Sequence, residues 1–383
     1  MNKWQILTFF LCIALHHSFA QAYTTQSIEH EGVTRTYQIY VPSSYDGSTA
    51  VPLIFSFHGG NGTIADQIAI GDFSNLAETD NFIAVYPQAL PDPNDDGSAN
   101  WLHKDPSTID DVLFVDALLD DLAANYQIDQ NRIYACGYSL GGEFTFELGC
   151  RLNHRIAAIG VVARTMQKFT YDHCAPVHPT GVITVLGTDD FVSNYDGIWS
   201  LGVQYYVSAM DTHSFWAAHN DCNENAAVTN VPNTNGFDGT TVERHTWSTA
   251  DACAYVEELK VIGGGHDWPG SFGNMDINAT EEIWQFVSRY DLTGLIDCAL
   301  TSTTEMAEQE QFYRVHPNPF EQAVTLTPAL REDTAFQLFT STGQLVSTGV
   351  LSPNQTITAW ADLPPNLYVL RLGQQSIKLV KTE

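Results

Sequence analysis

The stretch NRIYACGYSLGGEFTFELGCRL, Asn131 to Leu152, decides how the rest of the chain is read. Its first part, RIYACG (132–137), is an apolar run of strand length, and its last part, EFTFELGCRL, has apolar residues at helical spacing. Between them Gly137-Tyr138-Ser139-Leu140-Gly141 fits G-x-S-x-G. The pentapeptide alone turns up by chance in many chains. Strand, glycine-flanked serine and helix in this order describe a sharp turn that presents the serine hydroxyl at a helix N-terminus. Ser139 is therefore read as a nucleophile and not as a turn serine.

A serine near its free pKa attacks poorly, so a histidine must take its proton and a carboxylate must orient that histidine. In a strand-turn-helix site of this kind the acid and then the base follow the serine in the chain, on loops after later strands. VITVLGTDDF places Asp189 and Asp190 after one strand, and VIGGGHDWPG places His266 after another, through three glycines. His154, His173, His178, His213, His219 and His245 lie in polar, loop-like contexts and are read as surface or structural. Acyl transfer also needs two N–H donors for the oxyanion. Leu140, next after the serine, supplies one; PLIFSFHGGNGT (52–63) ends a buried strand in His58-Gly59-Gly60, and the second donor is assigned to Gly60. His58 is read as supporting that loop.

Strand candidates at 35–41, 52–57, 82–87, 132–137, 156–163, 182–187 and 256–262 alternate with helical patterns. Several are continuous apolar runs, as strands covered on both faces of a parallel sheet should be. The clearest helix is Asp110 to Tyr126, with Val112, Val115, Leu118, Leu119 and Leu122 on one side and acidic residues at its start. This rhythm predicts an α/β fold with a mostly parallel sheet.

The chain has 383 residues, 44 % of them hydrophobic, enough for a large core and a smaller second unit. MNKWQILTFFLCIALHHSFAQA has the order of a secretory signal, so 1–22 is expected to be removed and the protein to be exported. The apolar run there is too short to cross a bilayer, and no later segment reads as a membrane span. Loss of Cys12 leaves Cys136, Cys150, Cys174, Cys222, Cys253 and Cys298, available for disulfides in an oxidising compartment. No C-x-x-C pair is present, and no metal site is expected. Acidic residues outnumber basic ones by 45 to 16 and are spread along the chain, which disfavours nucleic acid and anionic lipid as partners. DPNDDGSANWLH (92–103) begins like a calcium loop but has His103 where a bidentate Glu belongs, and is read as a solvated acidic loop. The polar, acidic segment 299–311 reads as a linker, and 312–383, with short strands between turn residues, as a small all-β module.

FSFHGGNGT, FIAVYPQA, the block from Asp110 to Cys150, GTDDFVSNYDG and GGGHDWPG occur in order. On these blocks, over about Thr34 to Arg289, the chain resembles the polyhydroxybutyrate depolymerase-like esterases of carbohydrate esterase family 1, which include feruloyl and acetylxylan esterases. The resemblance implies an α/β-hydrolase fold over 23–298 and a cofactor-free serine esterase. It matches Ser139 to the nucleophile, His266 to the base and Asp190 to the acid, with Asp189 as runner-up. It also puts Trp101 and Trp268 near the cleft. For the cysteines it implies a Cys222–Cys253 bridge and, as a second pairing, Cys150–Cys174; Cys136 is read as a small buried hydrophobe and Cys298 has no assigned partner. Arg164 stands where many relatives have a small residue, either altering leaving-group preference or facing solvent. The segment between Phe191 and Asp251, where a substrate lid would sit, matches poorly. RVHPNPFEQAVTL, FTSTGQLV, LPPNLYVLRL and IKLVK give 312–383 a resemblance to a type IX secretion sorting domain, which implies a small all-β sandwich, with a carbohydrate-binding module as the rival. The expected protein is thus a secreted esterase acting on feruloyl or acetyl esters of polysaccharide, with the secretion machinery as a partner. The alternatives are an extracellular polyhydroxybutyrate depolymerase and, less favoured, a non-catalytic surface binding protein.

Overall fold

The computed structural model describes residues 23–93, 96–103, 109–249, 253–296, 298, 313–327, 333–340, 345–353, 357, 360–372 and 375–382. The expected signal and linker lie outside the described residues, as does part of the 92–103 loop. Those described up to Cys298 form one compact unit and those from Tyr313 onward a second.

The first unit opens with β1 (Thr24–His30), β2 (Val33–Tyr40), β3 (Val51–Phe57), α1 (Ile64–Ile70), α2 (Ser74–Asp80) and β4 (Ile83–Pro87). The short pair β5 (Leu90–Pro91) and β6 (Ala99–Asn100) precedes α3 (Asp111–Asn125), β7 (Ile128–Tyr138), α4 (Leu140–Arg151), β8 (Ala158–Val162), α5 (Lys168–His173) and β9 (Gly181–Gly187). A hairpin of β10 (Ile198–Ser200) and β11 (Val203–Tyr206) leads to α6 (Ala209–His219), β12 (Ala227–Asn230), β13 (Thr241–Trp247) and β14 (Val256–Ile262). The unit closes with α7 (Ala279–Val287) and the pair β15 (Tyr290–Asp291) and β16 (Gly294–Leu295).

Ten strands make one sheet in the order β1-β2-β4-β3-β7-β8-β9-β14-β13-β12. The six from β4 to β14 run parallel, and antiparallel pairs flank them at both ends. This is the α/β-hydrolase arrangement. Side-chain alternation splits the core between the two faces. Leu53, Phe55, Ile133 and Ala135 pack with Leu118, Phe144 and Trp216 of α3, α4 and α6. Ile54, Tyr134 and Cys136 pack with Ala77 and Ile283 of α2 and α7. Because helices cover both faces, all seven residues of β3 and of β9 are buried.

Helix α3 begins one residue later than the pattern predicts, because Asp110 is its cap and accepts the Val112 N–H. Asp111 is instead buried, with its carboxylate 2.6 Å from the Arg35 guanidinium. His213 and His219, expected in loops, lie on α6, and His245 lies on β13.

The implied Cys222–Cys253 bridge is replaced by another. Cys253 is bonded to Cys298, with the two Cα atoms 5.5 Å apart, and Cys150 is bonded to Cys174. The β15–β16 turn explains the exchange of partner: Leu295 N–H donates to Cys253 O at 2.6 Å and Cys298 N–H to Leu295 O at 2.9 Å, drawing Cys298 back along Cys253. Cys222 keeps its thiol and directs it to Ala254 O at 3.2 Å. Cys136 is fully buried on β7, and burial pushes its thiol pKa up to about 12.

The second unit is all-β: β17 (Arg314–His316) pairs with β18 (Thr325–Thr327), while β19 (Thr334–Thr340), β20 (Leu345–Leu351), β21 (Asn366–Leu372) and β22 (Gln375–Lys381) form a sheet ordered β20-β19-β21-β22. Phe320, Leu338, Trp360, Leu370 and Leu379 lie in its core.

Candidate active site

The C-terminal ends of the parallel strands meet along one edge of the sheet, the edge at which open α/β sheets bind ligands. His58 follows β3, Ser139 follows β7, Arg164 lies two residues beyond β8, Asp190 follows β9 and His266 follows β14.

At the centre Ser139 has φ 52° and ψ −120°, a conformation that costs a non-glycine residue about 1–3 kcal/mol. Its neighbours hold it there: Ser139 N–H donates to Val162 O and Glu143 N–H donates to Ser139 O, each at 3.0 Å. The turn also brings α4 against the end of β3. A Cβ on Gly141 would stand 2.2 Å from Phe57 O, so glycine is required by close approach.

His266 Nε2 lies 2.9 Å from Ser139 Oγ, and His266 Nδ1 lies 2.7 Å from Asp190 Oδ2. The other carboxylate oxygen of Asp190 accepts the Val192 and Ser193 N–H groups at 2.8 and 2.7 Å. A carboxylate surrounded by N–H groups is the acceptor, so Nδ1 carries the imidazole proton and Nε2 is left to accept from the serine hydroxyl. Asp190 and Ser139 are buried and His266 is partly exposed, so the ring forms the wall between the relay and solvent.

The loops bearing Asp190 and His266 are joined to each other. Thr188 N–H donates to Val261 O and Asp189 N–H to Gly264 O, both at 2.9 Å, while Gly263 N–H donates to Thr188 Oγ1 at 2.8 Å. Tyr138, beside the serine, donates its hydroxyl to His266 O at 2.7 Å and fixes that residue's backbone. Burial, followed by the charges of Asp190 and Asp267, raises the Tyr138 pKa, which keeps it a donor. Nothing in the G-x-S-x-G pattern marks Tyr138, since its place in the pattern is variable.

The Leu140 N–H opens α4, and the Gly60 loop packs directly on it: a Cβ on Gly60 would stand 2.6 Å from Leu140 Cδ1. Neither the Leu140 nor the Gly60 N–H has a hydrogen-bond acceptor among the described residues. The Gly60 turn is thus packed against the residue that follows Ser139.

Trp101 and Trp268 do not line the cleft. Trp101 stacks on Phe144 with ring centres 5.0 Å apart and donates its N–H to His58 O at 2.8 Å, so its ring is used up in packing behind the loop. Trp268 is completely buried and donates to Thr280 Oγ1 at 3.0 Å. Arg164 does not face solvent either. It is buried, 3.2 Å from the Glu143 carboxylate, with its guanidinium 3.8 Å from the centre of the Tyr206 ring. Tyr206 also hydrogen-bonds Glu143, and His103 Nε2 stands 3.4 Å from the same carboxylate. This buried group fastens the β10–β11 hairpin to the first turn of α4.

That hairpin and the residues after Asp190 expose Phe191 (89 %), Trp199 (62 %), Leu201 (101 %), Val203 and Tyr205. From Phe191 to Tyr206 the only charged side chain is Asp196. Among the described residues no group of three or more His, Cys, Asp and Glu is placed to hold a metal ion, and no helix is long and apolar enough to cross a membrane.

No protein-family model matches the chain. It is similar to a bifunctional acetylxylan esterase/xylanase of Neocallimastix patriciarum, 27 % identical over 274 residues, covering 70 % of this chain and 35 % of that protein. Feruloyl esterase B of Piromyces equi is 27 % identical over 258 residues, covering 66 % of this chain and 44 % of its own. Poly(3-hydroxyalkanoate) depolymerase C of Paucimonas lemoignei is 26 % identical over 247 residues, covering 60 % and 58 %. The chain thus spans less than half the length of the first two relatives.

Proposed function

We propose that the protein is a secreted serine esterase that hydrolyses acyl groups, feruloyl or acetyl, carried on a polysaccharide. The observation that carries the reading is the unbroken hydrogen-bond relay from Ser139 through His266 to Asp190. The relatives, a bifunctional acetylxylan esterase/xylanase and a feruloyl esterase, support an ester of this kind as the substrate.

In this reading Ser139 Oγ attacks the ester carbonyl carbon as its proton passes to His266 Nε2. The carbonyl oxygen becomes an oxyanion received by the Leu140 and Gly60 N–H groups. Collapse of the tetrahedral adduct expels the alcohol, which takes the proton from Nε2 and leaves an acyl-serine. Water then attacks, His266 again accepts and returns the proton, and the carboxylic acid leaves. Asp190 keeps the imidazole in the required tautomer throughout. None of these steps calls on a cofactor.

The nearly uncharged, apolar hairpin beside Asp190 favours a polymeric substrate over a small anionic one, since exposed apolar patches of this kind mark contact surfaces. The same surface favours the second reading, a polyester depolymerase. The all-β unit is assigned to recognition by the type IX secretion machinery on its sequence resemblance.

Hydrolysis of p-nitrophenyl acetate should fall by about 10⁴-fold or more in Ser139→Ala with the circular dichroism spectrum unchanged. Equal activity in the two proteins would sink the mechanism. Product release from methyl ferulate, acetylated xylan and polyhydroxybutyrate then ranks the substrates, and faster release from polyhydroxybutyrate would replace the first reading with the second.

A further inference from the structure

The β10–β11 hairpin is a two-stranded sheet of its own, apart from the ten-stranded one. A lone hairpin is marginally stable, so its position must come from what it is fastened to. The fastening is at its foot, Tyr206. There the backbone bridges Gln167 in antiparallel sense, and the Val207 N–H donates to Met166 O at 3.0 Å. The Tyr206 hydroxyl donates to the carboxylate of Glu143, which lies on the first turn of α4, four residues after Ser139. Burial, followed by the charge of Glu143, raises the Tyr206 pKa, which keeps it a donor.

Arg164 closes this contact. Its guanidinium lies 3.2 Å from Glu143 Oε2, the oxygen that also accepts from Tyr206, and 3.8 Å from the centre of the Tyr206 ring. Its own backbone is pressed on the same helix, since a Cβ on Gly142 would stand 3.2 Å from Arg164 Cβ. Glu143 and Arg164 are both buried, so solvent screens their attraction far less than that of a surface pair. One arginine thus ties the loop after β8, the first turn of α4 and the foot of the hairpin into a single group.

Alternation along β11 decides what the hairpin then shows. Gln204 and Tyr206 are half-buried, while Val203 and Tyr205 are exposed, with Trp199 and Leu201 beside them. In a chain of net charge −29, Asp196 is the only charged side chain from Phe191 to Tyr206. Aromatic rings without charge suit the C–H faces of the sugar rings in a neutral polysaccharide.

We propose that Arg164 is a positioning residue for polysaccharide-borne esters: by clamping Tyr206 to Glu143 it seats the β10–β11 hairpin as the surface on which the sugar chain flanking the ester lies. The proposal rests on the esterase reading, and it gives Arg164 no contact with the reacting atoms.

The test compares acetyl release from acetylated xylan with hydrolysis of p-nitrophenyl acetate, which is too small to need the hairpin. It uses the wild type, Glu143→Gln/Arg164→Met, Trp199→Ala, the triple variant and Ser139→Ala, with thermal unfolding followed in each. Both charges are removed together because removing one would leave the other buried and unpaired. The ratio of kcat/KM on xylan to kcat/KM on p-nitrophenyl acetate should fall by about 10-fold or more in the double variant, since misplaced positioning groups cost up to about 100-fold. The loss should lie in KM for xylan, because a contact with the flanking chain holds substrate and transition state alike. Trp199→Ala should lower the same ratio, and the triple variant should lose less than the product of the two losses, as groups acting through one surface do. An unchanged ratio in a folded double variant, a loss of kcat shared equally by both substrates, or fully multiplicative losses would overturn the assignment. A ratio that holds with xylan and falls when polyhydroxybutyrate replaces it would overturn the polysaccharide and give the surface to a polyester. If the double variant does not fold, Tyr206→Phe, which removes one hydroxyl and no charge, decides by the same ratio alone and combined with Trp199→Ala. An active Ser139→Ala protein would overturn the esterase reading itself, whereas an inactive Ser139→Ala beside an unchanged ratio would remove the Arg164 role only.

Discussion

Asp189 and Asp190 are identical neighbours at the end of one strand, and only their surroundings separate them. Asp190 points at His266 Nδ1, and its second oxygen takes two backbone N–H groups. Asp189 holds its loop, through its N–H on Gly264 O and a hydrogen bond from Thr188 Oγ1. Asp190→Asn would put an amide against Nδ1 and favour the wrong imidazole tautomer, so kcat for p-nitrophenyl acetate is expected to fall by about 10⁴-fold. Asp189→Asn should stay within about 3-fold, because its contacts survive the change. A large loss in the second variant and a small one in the first would transfer the acid role to Asp189. Arg164 makes the complementary point about single residues. A chain read alone shows a charge in a conspicuous place, but not that Glu143 and Tyr206 converge on it from two other elements.

At the scale of elements, legibility followed burial. The six parallel strands are covered on both faces, so β3, β4, β8 and β9 are buried at every position and mostly apolar, and they stand out. Strands β1 and β12 lie at the sheet's edges with mixed or wholly exposed side chains, and no apolar pattern announces them. The site was readable because its strand-end motifs are local, a serine between glycines and a histidine after three. The cysteine partner was not, since the β15–β16 turn that carries Cys298 to Cys253 is a short feature without a period. Helix α6 holds a consequence that the loop-like reading of His213 concealed. His213 is fully buried, its Nε2 is 2.8 Å from Thr184 Oγ1, and it stacks on Trp247. Burial lowers its pKa, against the pull of Glu258 and with His245 and Lys260 adding to the fall. The unfolded chain, with a histidine pKa of about 6.5, then takes up a proton that the folded protein refuses. Stability should be unaffected by this group above that pH, and should drop below it by up to about 1.4 kcal/mol per pH unit until the folded pKa is reached. His58, lowered by burial in the same way, adds to the slope. Urea midpoints between pH 7.5 and 5 should therefore fall with acidification, less steeply in His213→Gln; an identical slope in the variant would show that the proton goes elsewhere.

For the whole molecule the dominant fact is a formal charge of −29, from 45 acidic and 16 basic residues. Some acids are paired, as Asp116 and Asp120 are with Arg155. Exposed pairs are worth only about 0–1 kcal/mol each, and with 45 acids to 16 bases most acids have no cation to meet. Folding brings these like charges closer than the extended chain holds them, so repulsion opposes the compact state. Salt acts on that term, because the screening length shrinks from about 30 Å at 0.01 M to about 3 Å at 1 M. At pH 7 the unfolding temperature should rise by about 5 °C between 0.01 and 0.5 M sodium chloride, the shift produced by roughly 1–2 kcal/mol in a domain of this size. Near pH 4.5, where the sequence is isoelectric, attractive and repulsive pairs balance and the same salt step should move it by no more than about 1 °C. A fall with salt at pH 7 would mean that ion pairs such as Arg155 with Asp116 outweigh the surplus, and that the acidic surface stabilises the fold at low ionic strength.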